Sequence, residues 1–80
     1  MKIEIRQEHI DKGKRFDAYK CPVALALKEF TGIDCCVGIT IYNVGEIQFK
    51  LSQDLADWIF KFDLKEEVQP TIFEVEVPGG

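Results

Sequence analysis

The sequence lacks any long apolar run. No stretch approaches the 18 or so consecutive apolar residues that cross a bilayer as a helix. The N-terminus alternates charged and apolar residues from Lys2 to Ile5, instead of showing the charged-then-apolar pattern of a secretion signal. These absences argue against a membrane protein or a secreted one, and we expect a single cytoplasmic domain of 80 residues.

Basic residues are too few to make a cationic surface. Ten Lys and Arg stand against 14 Asp and Glu, which gives a formal net charge of −4. Because nucleic-acid binding through phosphate contacts needs a basic face, this balance argues against that class of protein. The one basic cluster, within residues 12–15, is flanked by acidic residues and is interpreted as a solvated loop. The excess of carboxylates does not exclude a partner with a basic surface.

Residues that bind metals or act as nucleophiles are scarce. There is one histidine, His9, and the three cysteines match no Cys-x-x-Cys zinc pattern: Cys21, Cys35, Cys36. Cys21 precedes a predicted helix, where a thiol pKa can be lowered, but a nucleophile also needs a base and an oxyanion pocket. No phosphate-binding glycine loop or Ser/His/Asp set is present. We predict no enzyme, no cofactor and no metal, with a Cys21–His9 pair as the enzymatic alternative.

Residues 52–63 predict the helix that anchors the core. Its apolar residues recur at helical spacing: Leu55, Trp58, Ile59, Phe62. Ser52 is a good N-cap, because its hydroxyl can accept a hydrogen bond from an early N–H of the helix.

Alternating segments predict four strands, at residues 2–7, 36–42, 46–51 and 71–77. The alternation directs Ile39 and Ile41 inward and Tyr42 outward, and Gly45 suits a three-residue hairpin loop. A short helical turn is predicted at 8–13, and a second helix begins at Pro22 and ends before Gly32. The order β-α-β-β-α-β predicts an α+β, two-layer sandwich: a mostly antiparallel four-stranded sheet with two helices on one face, as in ferredoxin-like folds.

Three pieces of the sequence are recognisable together. They are the first strand followed by His9-Ile10, the Cys21-Pro22-Val23-Ala24-Leu25-Ala26 segment, and residues 58–63 with 68–70 and the last strand. In these pieces the chain resembles a group of small uncharacterised phage and prophage proteins, over nearly its whole length except residues 33–50. The resemblance carries over no catalytic residue. It implies a phage accessory protein that binds a host component in the host cytoplasm.

The leading hypothesis is a non-catalytic binding module for a host protein, acting as an inhibitor or adaptor. Apolar side chains that the predicted core does not use would contact the partner, beside carboxylates of the anchoring helix: Tyr42, Phe60, Ile72, Asp54, Asp57. A homodimer through the uncovered last strand is a variant of this hypothesis.

The alternative is a carrier that uses the C-terminal Gly79-Gly80. A strand that runs into two glycines is similar to ubiquitin-like proteins and small sulfur carriers, whose terminal carboxylate is adenylated. Glycines suit a tail that must enter a narrow enzyme tunnel. Those proteins begin with a β-hairpin, so residues 8–19 would have to supply a second strand.

Overall fold

Eight elements follow one another along residues 1–79, the part of the chain that this computed structural model describes. They are β1 (Lys2–Ile5), α1 (Gln7–Lys12), α2 (Pro22–Thr31), β2 (Cys35–Val37), β3 (Ile41–Val44), β4 (Ile47–Lys50), α3 (Gln53–Asp63) and β5 (Thr71–Glu74). Helices and antiparallel sheets together confirm the predicted α+β class. None of these helices has the length and apolar content that crossing a membrane requires.

The strands form two antiparallel sheets instead of the predicted single sheet of four strands. One sheet pairs β1 with β5, and the other has the order β2-β3-β4. The difference originates in residues 36–42, which were predicted as one strand. The chain bends at residues 38–40, so that Gly38 N–H donates to Ile41 O at 2.8 Å and β2 pairs with β3. Residues 47–50, which would lie beside β1 in a ferredoxin-like sheet, pair only with β3 among residues 1–79, so the ferredoxin-like order does not form.

The same bend reverses which side chains face the core. Val37 is buried, but Ile39 and Ile41, which were predicted inward, are exposed, and Ile39 is 89% exposed. After the bend, Tyr42 and Val44 are the buried residues, and Tyr42 is only 2% exposed. The outward position predicted for Tyr42 is therefore wrong, because the alternation restarts with opposite parity after the turn.

The β3–β4 hairpin turns over two residues, one fewer than predicted. Val44 pairs with Ile47, which leaves Gly45 and Glu46 as the loop. Gly45 has a φ of 62°, at the first central position, where a type II′ turn has glycine.

The core lies between the two sheets and the helices. α2 packs against both β1 and β2 and so connects the two sheets, and its Val23 and Leu27 are fully buried. In α3 the predicted stripe is observed, since Leu55 and Phe62 are buried and Trp58 lies edge-on to Phe73 of β5 at 6.4 Å. The N-cap is confirmed as well: the Leu55 N–H donates to Ser52 Oγ at 3.3 Å.

Candidate functional site

Three of the most exposed large apolar side chains lie together on one side of the molecule. Ile39 is 89% exposed, Phe16 78% and Phe60 64%, and they surround the half-buried Ile59. Two adjoining concavities lie between α3, the bend at 38–40 and the loop before α2. Ile39 and Ile59 line both of them, Phe60 lines one and Phe16 lines the other. We call this region the apolar–acidic surface. It consists of four apolar residues and three carboxylates: Phe16, Ile39, Ile59, Phe60, Asp17, Asp57, Asp63.

Carboxylates border the apolar centre: Asp17, Asp57, Asp63. Asp57 accepts a hydrogen bond from Gln53 Nε2 at 2.8 Å, one turn earlier on α3. Asp17 accepts from the backbone N–H groups of Tyr19 and Lys20. The ion pairs found among residues 1–79 involve none of these three carboxylates. All three carboxylates are therefore without a direct basic partner in the described part of the chain.

Long-range contacts hold the Phe16 loop against α3. The Phe16 N–H donates to Asp63 Oδ1 at 3.0 Å, and Arg15 Nε donates to Phe62 O at 3.2 Å. The Arg15 guanidinium also lies 5.2 Å from the centre of the Phe62 ring, a cation–π distance. These contacts fix the loop on the end of α3.

Phe16 has a strained backbone. Its φ is 55°, in the left-handed region, which costs a bulky residue roughly 1–3 kcal/mol. In this strained conformation the aromatic ring is exposed to water instead of buried in the core. Strain of this kind, held by the surrounding contacts, is typical of positions that contact a ligand.

The structure brings together only part of the predicted partner-binding set. Phe60 and Asp57 both lie on the apolar–acidic surface. Asp54 is exposed in the first turn of α3 but lines neither concavity, and Ile72 is exposed on β5, beside β1 in the other sheet. Tyr42 is buried, so it cannot contact a partner.

Two residues of this surface, Phe16 and Ile39, were not among the predicted contacts. Ile39 was assigned to the core because alternation was continued through residues 38–40. Gly38 was the available signal, since a glycine inside a strand pattern indicates a bulge or bend. No sequence signal marks Phe16.

A second polar cluster surrounds His9, which is buried. Its Nδ1 accepts from the Arg6 backbone N–H at 2.9 Å, so the proton is assigned to Nε2, which lies 2.5 Å from Glu29 Oε2. The Arg6 guanidinium bonds both Glu8 and Glu29. The hydrogen bond from His9 and, second, the bond from Arg6 hold the pKa of Glu29 below its usual value.

This cluster has the residue types of a metal site but not the free ligand atoms. Ligand atoms of Glu8, His9 and Glu29 lie within 4.8 Å of one another. However, both imidazole nitrogens already have partners, and Arg6 supplies the positive charge. The arrangement joins the end of β1 to α1 and α2. It is a network of ion pairs between side chains of the protein.

Cys21 has the environment of a structural thiol. It is buried, and its Sγ accepts from the Ala24 N–H at 3.4 Å, which makes it the N-cap of α2. Burial raises its pKa to about 11, so the thiolate is scarce near neutral pH. His9 bonds Arg6 and Glu29 rather than Cys21. The geometry therefore gives the enzymatic alternative no nucleophile–base contact.

The carrier alternative lacks the second strand that it requires. Residues 8–12 belong to α1, and residues 13–19 are irregular. Gly79 is exposed after β5, and Gly80 lies outside the described residues.

The resemblance to phage proteins depends on three short pieces of sequence. Matches to known proteins would test it. Comparison with protein-family models, with curated proteins and with solved structures finds no match for this chain. The resemblance therefore stays a prediction.

Proposed function

We propose that this protein is a non-catalytic binding module whose apolar–acidic surface binds a basic amphipathic segment of another protein. One observation carries the proposal. The exposed Ile39 lines one concavity with Phe60 and the adjoining one with Phe16, and the carboxylates at their border form no ion pair with a basic side chain of residues 1–79. Single exposed apolar residues are normal on a protein surface, but a contiguous group with a polar border is typical of an interaction site.

The apolar centre supplies the affinity. Burying three large side chains contributes about 5–9 kcal/mol of transfer free energy, at roughly 1.5–3 for each. Much of this offsets the loss of rotational and translational freedom on association. The Phe16 loop is already held by α3, so less conformational freedom is lost when a partner binds. A complex in the micromolar range is expected.

The carboxylate border determines the kind of partner. Three carboxylates around an apolar centre complement a segment that carries Lys or Arg on both sides of its apolar residues. An amphipathic helix presents such residues on one face at spacings of three and four, which suits the concavity beside α3. In the phage-type context that the sequence suggests, this segment belongs to a host protein, and binding would inhibit or recruit it.

A labelled peptide tests the proposal without an identified partner. The probe is an amphipathic helical peptide of Leu and Lys, compared with the same peptide carrying Glu for Lys, in a fluorescence-anisotropy titration. We expect micromolar binding of the basic peptide, weakened by salt, and at least tenfold weaker binding of the acidic peptide.

Three variants locate the binding. Phe60→Ala and Ile39→Ser should each weaken binding of the basic peptide about tenfold or more, as removal of a central contact does. Phe30→Ala is the matched control, because Phe30 is also an exposed aromatic on a helix but lies on α2, outside the surface. Equal affinity in all variants, or no binding of the basic peptide at about millimolar concentration, would contradict the proposal.

A further inference from the structure

The three-stranded sheet has one covered edge and one open edge. On the free side of β2, the Val37 N–H donates to Ala18 O at 2.8 Å, so the loop before α2 covers that edge. At the other end of the sheet, β4 pairs only with β3 among residues 1–79. Exposed strand edges are templates for pairing with another chain.

The hydrogen-bond pattern shows which groups of β4 are open. In an antiparallel ladder, the backbone groups of successive residues point alternately toward and away from the neighbouring strand. Just beyond β4, the Leu51 N–H donates to Thr40 O at 2.9 Å, toward the β3 side. Ile47 and Phe49 therefore also point toward β3, and the N–H and C=O groups of Gln48 and Lys50 point away from it.

The sequence of this edge is complementary to itself. In a two-fold antiparallel pairing centred on Gln48, Glu46 lies opposite Lys50 of a second copy, and Ile47 lies opposite its Phe49. The two residues of each charged pair have opposite charges, and both apolar pairs lie on the core side of the sheet. Ile47 is 48% exposed in the single chain, so this pairing would cover it. A shift of two residues in either direction removes both charge pairs, which selects this register.

We propose that two copies of this chain associate through β4, joining two three-stranded sheets into one continuous antiparallel sheet. The interface is formed by residues 46–50 and involves none of the residues that define the apolar–acidic surface. The dimer can therefore form whether or not that surface binds a peptide, and each proposal can fail without the other.

Charge reversal tests the register by sedimentation equilibrium. The wild type should dimerise with a Kd of roughly tens of micromolar, because the interface is small. Glu46→Lys and Lys50→Glu each put like charges opposite one another twice, so each should raise the Kd at least about tenfold. The double reversal restores opposite charges and should return the Kd to within about threefold of the wild type. Glu66→Lys, at an exposed position outside residues 46–50, is the control for net charge and should leave the Kd unchanged.

Amide hydrogen exchange supplies a second measurement of the same interface. With rising protein concentration, the Gln48 and Lys50 amides should become protected, whereas those of Ile47 and Phe49 are protected already in the monomer. A wild type that stays monomeric at about millimolar concentration overturns the proposal. A dimer that persists in both single reversals, or one with unprotected Gln48 and Lys50 amides, overturns it equally.

Discussion

Replacing Tyr42 by phenylalanine should destabilise the protein through two hydrogen bonds. The Tyr42 hydroxyl accepts from the Glu76 N–H at 2.7 Å and donates to Glu76 O at 2.8 Å. It thus ties the segment after β5 to the three-stranded sheet. Phenylalanine keeps the ring, which stacks on Phe49 with 5.4 Å between centres, so the change removes polar contacts and little packing.

The magnitude follows from the groups left without a partner. An unsatisfied buried donor or acceptor costs about 1–3 kcal/mol, and here both backbone groups of Glu76 lose their partner. Because the Glu76 residue is exposed, water can reach part of this site, and we expect about 1–2 kcal/mol. In a domain of this size each kcal/mol lowers the Tm by about 4–8 °C, so the Tm of Tyr42→Phe should fall by roughly 5–15 °C.

Urea unfolding followed by Trp58 fluorescence measures this difference, since the sequence has a single tryptophan and its ring packs against Phe62 and Phe73. The m-value should not change, because the same surface becomes exposed on unfolding. Tyr19→Phe is the matched control: this ring is exposed, and its loss of a hydroxyl should cost less than about 0.5 kcal/mol. A Tyr42→Phe protein as stable as the Tyr19→Phe protein would refute the role given to the Tyr42 hydroxyl.

Three further predictions concern the region around α1 and α2. In Gly13→Ala the new Cβ would lie 2.6 Å from Cδ of Pro22, so the free energy of unfolding should fall by about 1–3 kcal/mol in urea; an unchanged value would contradict the close approach. Burial raises the pKa of Cys21 from 9.0 to about 11, so its unfolded thiol ionises first and wild-type stability should decline as pH rises between these values, by roughly 2 kcal/mol. The stability of Cys21→Ser should fall less than that of the wild type over this pH range. An equal fall in both proteins would contradict the contribution assigned to the Cys21 thiol. Glu29 has a pKa lowered first by His9, so its contribution is present at neutral pH and lost as pH falls below about 4.5. Unfolding curves of wild type and Glu29→Gln should therefore converge in acid, and a constant difference would refute the pairing.

Local signals in the sequence predicted most of the elements. Ser52 caps α3, Pro22 opens α2, and the apolar spacing of α3 left Phe60 outside the core stripe, where the structure has it. The α+β class follows from these elements because their apolar faces must cover one another.

The division into two sheets and half of the candidate surface depend on contacts between distant residues. The bend at 38–40 interrupts a segment whose sequence alternates like that of a strand. Next to this bend, the Val37 N–H donates to Ala18 O in the loop before α2. Phe16 takes its left-handed conformation with its N–H bonded to Asp63, 47 residues further along the chain. Gly38 was a local signal of the bend. Propensity and periodicity describe near neighbours only, so neither could indicate the contacts with Ala18 and Asp63.

The pairing of β1 with β5 has a consequence for the order of folding. The β3–β4 hairpin closes over two residues and can form within microseconds, whereas Ile5 meets Thr71 only after the intervening chain has been organised. On the ribosome β1 is therefore synthesised well before β5, the strand it pairs with. α2 can already pack against β1, but the backbone groups with which β1 pairs to β5 stay open to other nascent chains until residues 71–74 have emerged.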